Sequence, residues 1–549
     1  MTKNNKMIKF KFPKIDTFKK LIPFSLFLII SVGLFFIMGY NQIASKGPMS
    51  QHSYRQGDSY AFALNYYYEH NNFFEPSVLC VIEDLGGKTV SEFPGLYYLT
   101  AQIWKFTGVT PFVLRLLDLI ILFLGLFYLY KLSYEILKDH FWASLVSLLM
   151  FSSPLLGYYG FNFMPNIPAL GFALIATYFY YKYHTSSKVQ FLILSTILFS
   201  LGGLLKISSL FAFLAINAVF FLQNVQRIKQ NRKAILLQLG SFIFVLAMVF
   251  SWYSFSKYYN SKNLEGLFQN GIIPIWNLSS EQIQGILNKV FTNTIIYFFN
   301  PFALMAWGGL FITSMVLWKK TNKTLLLMTS ILFVGFIMFV LLFFEGMDYH
   351  EYFLIDITII IPAITITFLT TLKGFSINLF NSKLVKSFSL ILMLLSLNYN
   401  MVMTRTHYNP YDKMVTQNIP LPNRVQNEWK WFYNEKENHI RKYDGIIPYI
   451  RGLGINFQDK IISIPDESPN RSLTLLNQKG FTDFHYSLNY QGVKITERKI
   501  ELGAKYMIVE GAENLLREDV APFTKNQIGE YNGIKIFKLT DESTPKSLR

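Results

Sequence analysis

The chain has 549 residues and a mass of 63.8 kDa, with 51% hydrophobic and only 15% charged residues. Soluble proteins carry about 25% charged residues, so this composition excludes a string of ordinary soluble domains, and its apolar content excludes extensive disorder. The formal charge is +17, and the single cysteine, Cys80, excludes an intramolecular disulfide and a cysteine-rich zinc site.

Charge divides the chain in two. Residues 1–403 hold 46 of the 85 charged side chains, about 11% of that stretch, whereas residues 404–549 hold 39, about 27%. The first part reads as a membrane body and the second as a nearly neutral soluble domain. Seven lysines precede the first apolar run, at positions 3, 6, 9, 11, 14, 19 and 20. Beside a span they read as a cytoplasmic topology signal that also attracts anionic lipid, not as a nucleic-acid site. Leu21–Tyr40 is long for a signal-peptide core and lacks a small-residue cleavage site, so it is expected to stay as a span.

A crossing needs roughly 20 apolar residues. Eleven runs qualify, near 21–40, 112–131, 141–159, 163–181, 189–205, 207–222, 234–254, 291–316, 324–344, 353–371 and 386–403. The stretch 93–108 is short for a crossing; if it crosses, the count is twelve. With the N-terminus in the cytoplasm, the short loops bearing Arg227, Lys229, Arg232 and Lys233, and Lys319, Lys320 and Lys323, fall inside. The long first loop 41–111 and the tail then fall outside. The predicted fold is an all-α polytopic domain of eleven or twelve transmembrane helices over 1–403, followed by a small extracytoplasmic α/β domain over 404–549.

Polar residues gather on the outer face. In the first loop, Asp58 precedes a Tyr/Ala-rich segment that reads as an amphipathic helix lying on the membrane. Partial burial near Arg55 suits a general base or a sugar-hydroxyl clamp; a helix-capping acid is the alternative. Glu92, before Pro94, either serves function or complements a helix N-terminus. Arg115 and Asp118 are spaced for a same-face ion pair, with phosphate binding by Arg115 as the other reading. Lys206, alone between two apolar runs, offers a point charge for phosphate or snorkels to headgroups. Glu345, Asp348, His350, Glu351 and Tyr352 form a last cluster, without the spacing of a known metal motif. No Walker loop, dinucleotide fingerprint or serine elbow is present, so ATP hydrolysis and nicotinamide chemistry are not indicated.

The segment HSYRQGD (52–58), the following ALNYYYEHNNFFEP, the Glu92-Phe93-Pro94 turn, Arg115 and HEYF (350–353) together resemble the C-type multi-spanning membrane glycosyltransferases. The branch in question contains protein O-mannosyltransferases, aminoarabinose transferases and rhizobial lipopolysaccharide sugar transferases. The resemblance implies sugar transfer, with inversion, from a polyprenyl-phosphate donor to a lipid-linked glycan, lipopolysaccharide or protein acceptor on the outer face of a bacterial cytoplasmic membrane. It implies Asp58 as catalytic base or acceptor-orienting group, and Arg55, Glu92, Arg115, Lys206, His350 and Tyr352 around phosphate and sugar. Two departures stand out. Relatives often carry an acid after the Met-Pro of the fourth span, where this chain has Asn166, and many carry Asp-Glu in the first loop, where Asp58 is followed by Ser59. No cofactor is assigned; a divalent cation is left open, with Asp58 as its candidate ligand.

The tail predicts an interrupted helix over 425–443, strands at 459–465, 504–510 and 533–539, and a helix from a Ser-Pro or Asn cap to Gly480. It is expected to act as lid, acceptor-binding module or structural domain; Asp466 and Glu467 read as turn acids. The competing class is a transporter or flippase, against which stand the absence of a repeat and of paired broken mid-membrane helices.

Overall fold

The computed structural model describes residues 15–83, 86–227, 229–263, 267–268, 271–418, 421–484 and 490–539. The lysines at 3 to 14 lie outside these residues. Every expected span falls on a helix, but not every helix is long. Six are long and apolar enough to cross a membrane: Pro111–Leu137, Ile207–Asn224, Arg232–Lys262, Lys323–Leu342, Glu351–Phe375 and Lys383–Tyr408. The pair Ser280–Phe298 and Pro301–Val316, bent by 86°, is either a broken seventh span or a re-entrant loop. Pro23–Ile37, His140–Phe151 and Val189–Leu205 are apolar but shorter. The chain is a multi-pass membrane protein.

Local chemistry sets these boundaries. Thr110 accepts a hydrogen bond from the Phe112 N–H and Pro111 occupies the first turn, so a helix starts there. The expected run 141–159 is split because Ser153 adopts an extended conformation before Pro154. Pro111–Leu137 and Asn166–Ser186 approach so closely that a Cβ on Gly125 would lie 2.8 Å from the Gly171 Cα. Glycine at both positions permits that backbone contact. Exposed Phe250, Phe302, Val316 and Leu384 mark faces turned toward lipid.

The stretch 93–108 forms the helix Gly95–Thr107. Its 13 residues span about 20 Å, short of the roughly 30 Å of a hydrocarbon core, so it does not cross. It packs against the helix Ser53–Tyr68, which is not the interfacial helix expected. Every residue from Gln56 to Tyr66 is buried, because the tail covers the face that would otherwise meet headgroups.

The tail carries a five-stranded sheet of β1 (Lys460–Ile464), β2 (Gly480–Phe481), β3 (Ala504–Glu510), β4 (Gln527–Tyr531) and β5 (Ile534–Lys538) in the order β2-β1-β3-β5-β4. β1 runs parallel to β2 and β3, and β5 is antiparallel to β3 and β4. The helix expected to reach Gly480 is shorter, Arg471–Leu476, ending at left-handed Asn477. Gly480 belongs to β2, where a Cβ would sit 2.1 Å from the Ile461 carbonyl oxygen. The first loop joins this sheet: Cys80 bridges Gly480 in parallel, the Val81 N–H donates to the Gly480 carbonyl at 2.8 Å, and the Gly480 N–H donates to the Leu79 carbonyl at 3.1 Å. The Lys383–Tyr408 helix runs past residue 403, and near its end Arg405 donates to the Phe36 and Ile37 carbonyls and to Asp412.

Candidate active site

His52, in a left-handed conformation, starts the Ser53–Tyr68 helix. Its first two turns carry Arg55 and Asp58. Arg55 donates to Glu92 at 2.7 Å and to Ser59 at 3.0 Å. Glu92 also accepts hydrogen bonds from Ser91 and Tyr97. Burial pushes the Glu92 carboxyl up, but the Arg55 charge and these hydrogen bonds outweigh it and hold it at about 2. Burial likewise works against the Arg55 charge, and Glu92, Tyr97 and Asp58 more than offset it. Arg55 and Glu92 therefore form a partly buried ion pair.

Asp58 differs. It is 8% exposed and accepts a 2.8 Å hydrogen bond from Asn470 of the tail. Burial drives its carboxyl up to about 7, against the pull of Arg55 and Asn470. A carboxylate balanced near neutrality accepts a proton more readily than an ordinary aspartate does.

His52 Nε2 meets Glu351 at 2.9 Å, and Tyr159 donates to the other Glu351 oxygen at 2.6 Å. Tyr352 sets its ring edge-on to His52, with centroids 4.9 Å apart. His350 lies beside them, with its ring 5.7 Å from that of His52. Burial and the neighbouring His52 hold His350 down to about 4, so it is neutral at pH 7, and its buried Nδ1 lacks a partner among the described residues.

Lys206 ends the Val189–Leu205 helix, with its ammonium 5.4 Å from the Phe353 ring centroid. Among the described residues it makes no ion pair; its charge is balanced chiefly by Asp356, and it also feels Arg55 and Glu92. Asp356 Oδ2 accepts from Asn166 at 2.8 Å and from Ser208 at 2.6 Å, while its buried Oδ1 accepts no hydrogen bond among the described residues. The fold thus brings Arg55, Asp58, Glu92, Lys206, His350 and Tyr352 into one electrostatically coupled group.

Arg115 stands apart, and neither expectation for it describes its place. It does not pair with Asp118. Nε donates to the Lys46 carbonyl at 3.3 Å, Nη1 to the Phe161 carbonyl and to Asn162 Oδ1, and Nη2 to the carbonyls of Lys46 at 3.1 Å and Gly47 at 2.9 Å. All five N–H groups are used, the side chain is fully buried, and the Phe163 ring covers it at 4.2 Å. No donor remains for a phosphate. Asp348 pairs with Lys289 at 2.9 Å and Glu345 is exposed, so neither joins the group. Asp466 holds its turn, accepting from Ser468 and Ser472. No three His, Cys, Asp or Glu side chains converge on a metal position among the described residues.

Two members were missed. Asp356 had a signal, an acid within the apolar run FLIDITII, since charge at that depth is costly unless it serves a purpose. Asn470 had none, lying 412 residues from the aspartate it touches.

Residues 91–253 match the family model described as dolichyl-phosphate-mannose-protein mannosyltransferase. No curated protein matches the sequence. Among solved structures, the chain is similar to ArnT from Cupriavidus metallidurans in the apo state, with 10% identity, a TM-score of 0.56, and coverage of 94% of this chain and 98% of that one. It is also similar to the same protein bound to undecaprenyl phosphate, with 10% identity, a TM-score of 0.58, and coverage of 95% and 99%. The family likeness thus covers residues 91–253, and over almost the whole chain it is the fold that is shared with ArnT.

Proposed function

We propose that the protein transfers a sugar from a polyprenyl-phosphate-linked donor to a hydroxyl of a cell-envelope glycan, lipopolysaccharide or protein, with inversion at the anomeric carbon. The observation that carries this reading is Asp58: a buried carboxylate poised at about 7 and grouped with a lysine that makes no ion pair among the described residues. The ArnT relative bound to undecaprenyl phosphate supports the donor class. The active group lies on the outer face of a bacterial cytoplasmic membrane, with the N-terminus inside and residues 404–549 outside.

In the reaction, the acceptor oxygen bonds to the anomeric carbon as the bond from that carbon to the phosphate oxygen breaks. Asp58 takes the acceptor proton, and the polyprenyl phosphate departs with the bonding electrons. Lys206 stabilises the charge growing on the phosphate, and no nucleotide is needed because the phosphate ester is already an activated leaving group. Glu92 stays ionised and holds Arg55 beside Asp58. Tyr352 and neutral His350 present ring faces and a ring nitrogen to the sugar.

Purified full-length enzyme assayed with polyprenyl-phosphate-linked sugars tests this. Asp58→Asn should lower turnover roughly 10²- to 10⁴-fold, the range for loss of a general base. Undiminished turnover removes Asp58 from that role.

A further inference from the structure

The tail reaches the reacting group through one side chain. A Cβ on Gly57 would lie 3.4 Å from the Arg471 Cα, so the Ser53–Tyr68 helix and the tail meet backbone to backbone beside Asp58. The Arg471 guanidinium sits 4.6 Å from the Tyr54 ring centroid, one turn before Asp58. Between these contacts lies Asn470, with 0% exposure.

The amide of Asn470 is oriented by its surroundings. Its Oδ1 accepts from the backbone N–H groups of Leu79 and Cys80, both at 3.1 Å. An amide oxygen held by two donors turns the amide nitrogen the other way, and Nδ2 donates to Asp58 Oδ1 at 2.8 Å. Asn470 immediately precedes the Arg471–Leu476 helix but does not cap it with its side chain; Asp466 takes the Ser472 N–H instead, at 2.7 Å. The amide is thereby released to serve Asp58. Asp58 Oδ2 accepts no hydrogen bond among the described residues, which leaves it to face an acceptor hydroxyl.

We infer that Asn470 is a positioning residue for Asp58: its amide, aimed by the first outer loop, fixes one carboxylate oxygen so that the other points at the acceptor, and makes the tail part of the active site. This rests on the reading of Asp58 as proton acceptor. A purely structural tie is the competing account, in which the bonds to Leu79 and Cys80 matter and the bond to Asp58 does not. The isosteric change Asn470→Asp separates the two. It keeps the oxygen that serves Leu79 and Cys80 and replaces the donor with a second carboxylate oxygen.

The titratable and charged groups facing Asp58 are Arg55 on its own helix, Glu92 before the Gly95–Thr107 helix, Tyr352 beyond His350 and Asp466 in the tail. None is altered by the substitution. The test is infrared titration of the full chain in lipid nanodiscs, following the carboxyl band of Asp58, assigned as the band absent from Asp58→Asn. For Asn470→Asp the reference is the double variant with Asp58→Asn. In wild type the band should titrate near pH 7, and in Asn470→Asp its midpoint should rise by about one pH unit or more. Asn470→Ala should also raise it; if that variant does not fold, Asn470→Asp still decides. An unmoved midpoint in folded Asn470→Asp overturns the inference. Turnover that survives Asp58→Asn would instead remove the base role and leave the titration result standing, so the two failures are distinguishable.

Discussion

Arg55 donates to Glu92 at 2.7 Å, and under the proposed mechanism that contact leaves Lys206 as the cation for the donor phosphate. The Arg55 guanidinium is already engaged with one carboxylate and with Ser59, whereas the Lys206 ammonium has no ion-pair partner among the described residues. Lys206→Met should therefore weaken donor use roughly 10- to 100-fold, as expected for losing a hydrogen bond to a charged group. Lys206→Arg should keep part of the activity. The effect should fall on KM for the polyprenyl-linked donor and leave acceptor dependence alone; an equal effect on both substrates would place Lys206 outside the phosphate site.

Asp356 supplies the counter-charge to Lys206 and is itself held by Asn166 and Ser208. Asn166 donates to a carboxylate brought from the Glu351–Phe375 helix. Asn166→Asp would set two carboxylates about a hydrogen-bond length apart, where both cannot ionise without mutual cost. It should lower the thermal midpoint, at a cost on the order of 1–3 kcal/mol. Asp356→Asn should fold, because an amide oxygen still accepts from Ser208, but should lose activity as Lys206 loses its counter-charge. A fully active Asp356→Asn would detach this residue from the site.

Arg115 should behave as a structural residue. Its guanidinium serves four oxygens, including the carbonyls of Lys46, Gly47 and Phe161. Arg115→Met would strand them, with a loss on the order of 3 kcal/mol, visible as a lower melting temperature in detergent. Surviving folded enzyme should keep a near wild-type KM for donor. A selective rise in that KM, without loss of stability, would restore the phosphate role.

These residues also show how far the sequence could be read. Apolar runs announce helices because a buried or lipid-facing helix has no alternative composition; each expected run is helical, although 141–159 and 291–316 are each broken into more than one helix. Arg55, Asp58 and Glu92 were visible as charges in a long polar loop of a sparsely charged body. Arg115 was misread because a charge inside an apolar stretch announces that it has partners, not which ones, and backbone carbonyls leave no trace in sequence. The Ser53–Tyr68 helix was expected on the membrane surface because its aromatic and small residues suit headgroups. The same residues suit burial, and only the tail's return over the first loop decides between them. Asn470 belongs to that return, so no local pattern could have marked it.

Asp58 finally fixes two pH dependences with opposite consequences. Its ordinary value of 3.8 is raised to about 7 by burial, against the pull of Arg55 and Asn470. As a base it works only when ionised, so turnover should climb as pH rises through about 7. For stability the sign reverses. A carboxyl whose folded value is raised binds its proton more tightly in the folded state, so its stabilising contribution is complete below about 4 and is lost as pH rises through about 7. Asp58→Asn removes that titration while still offering an oxygen to Asn470. Its melting temperature relative to wild type should therefore increase between pH 4 and 7 and level off above, in the range where wild-type turnover is highest. A difference that stays flat across that range would show that Asp58 is not held in the buried setting described, and the acid limb of the activity profile would then belong to another group.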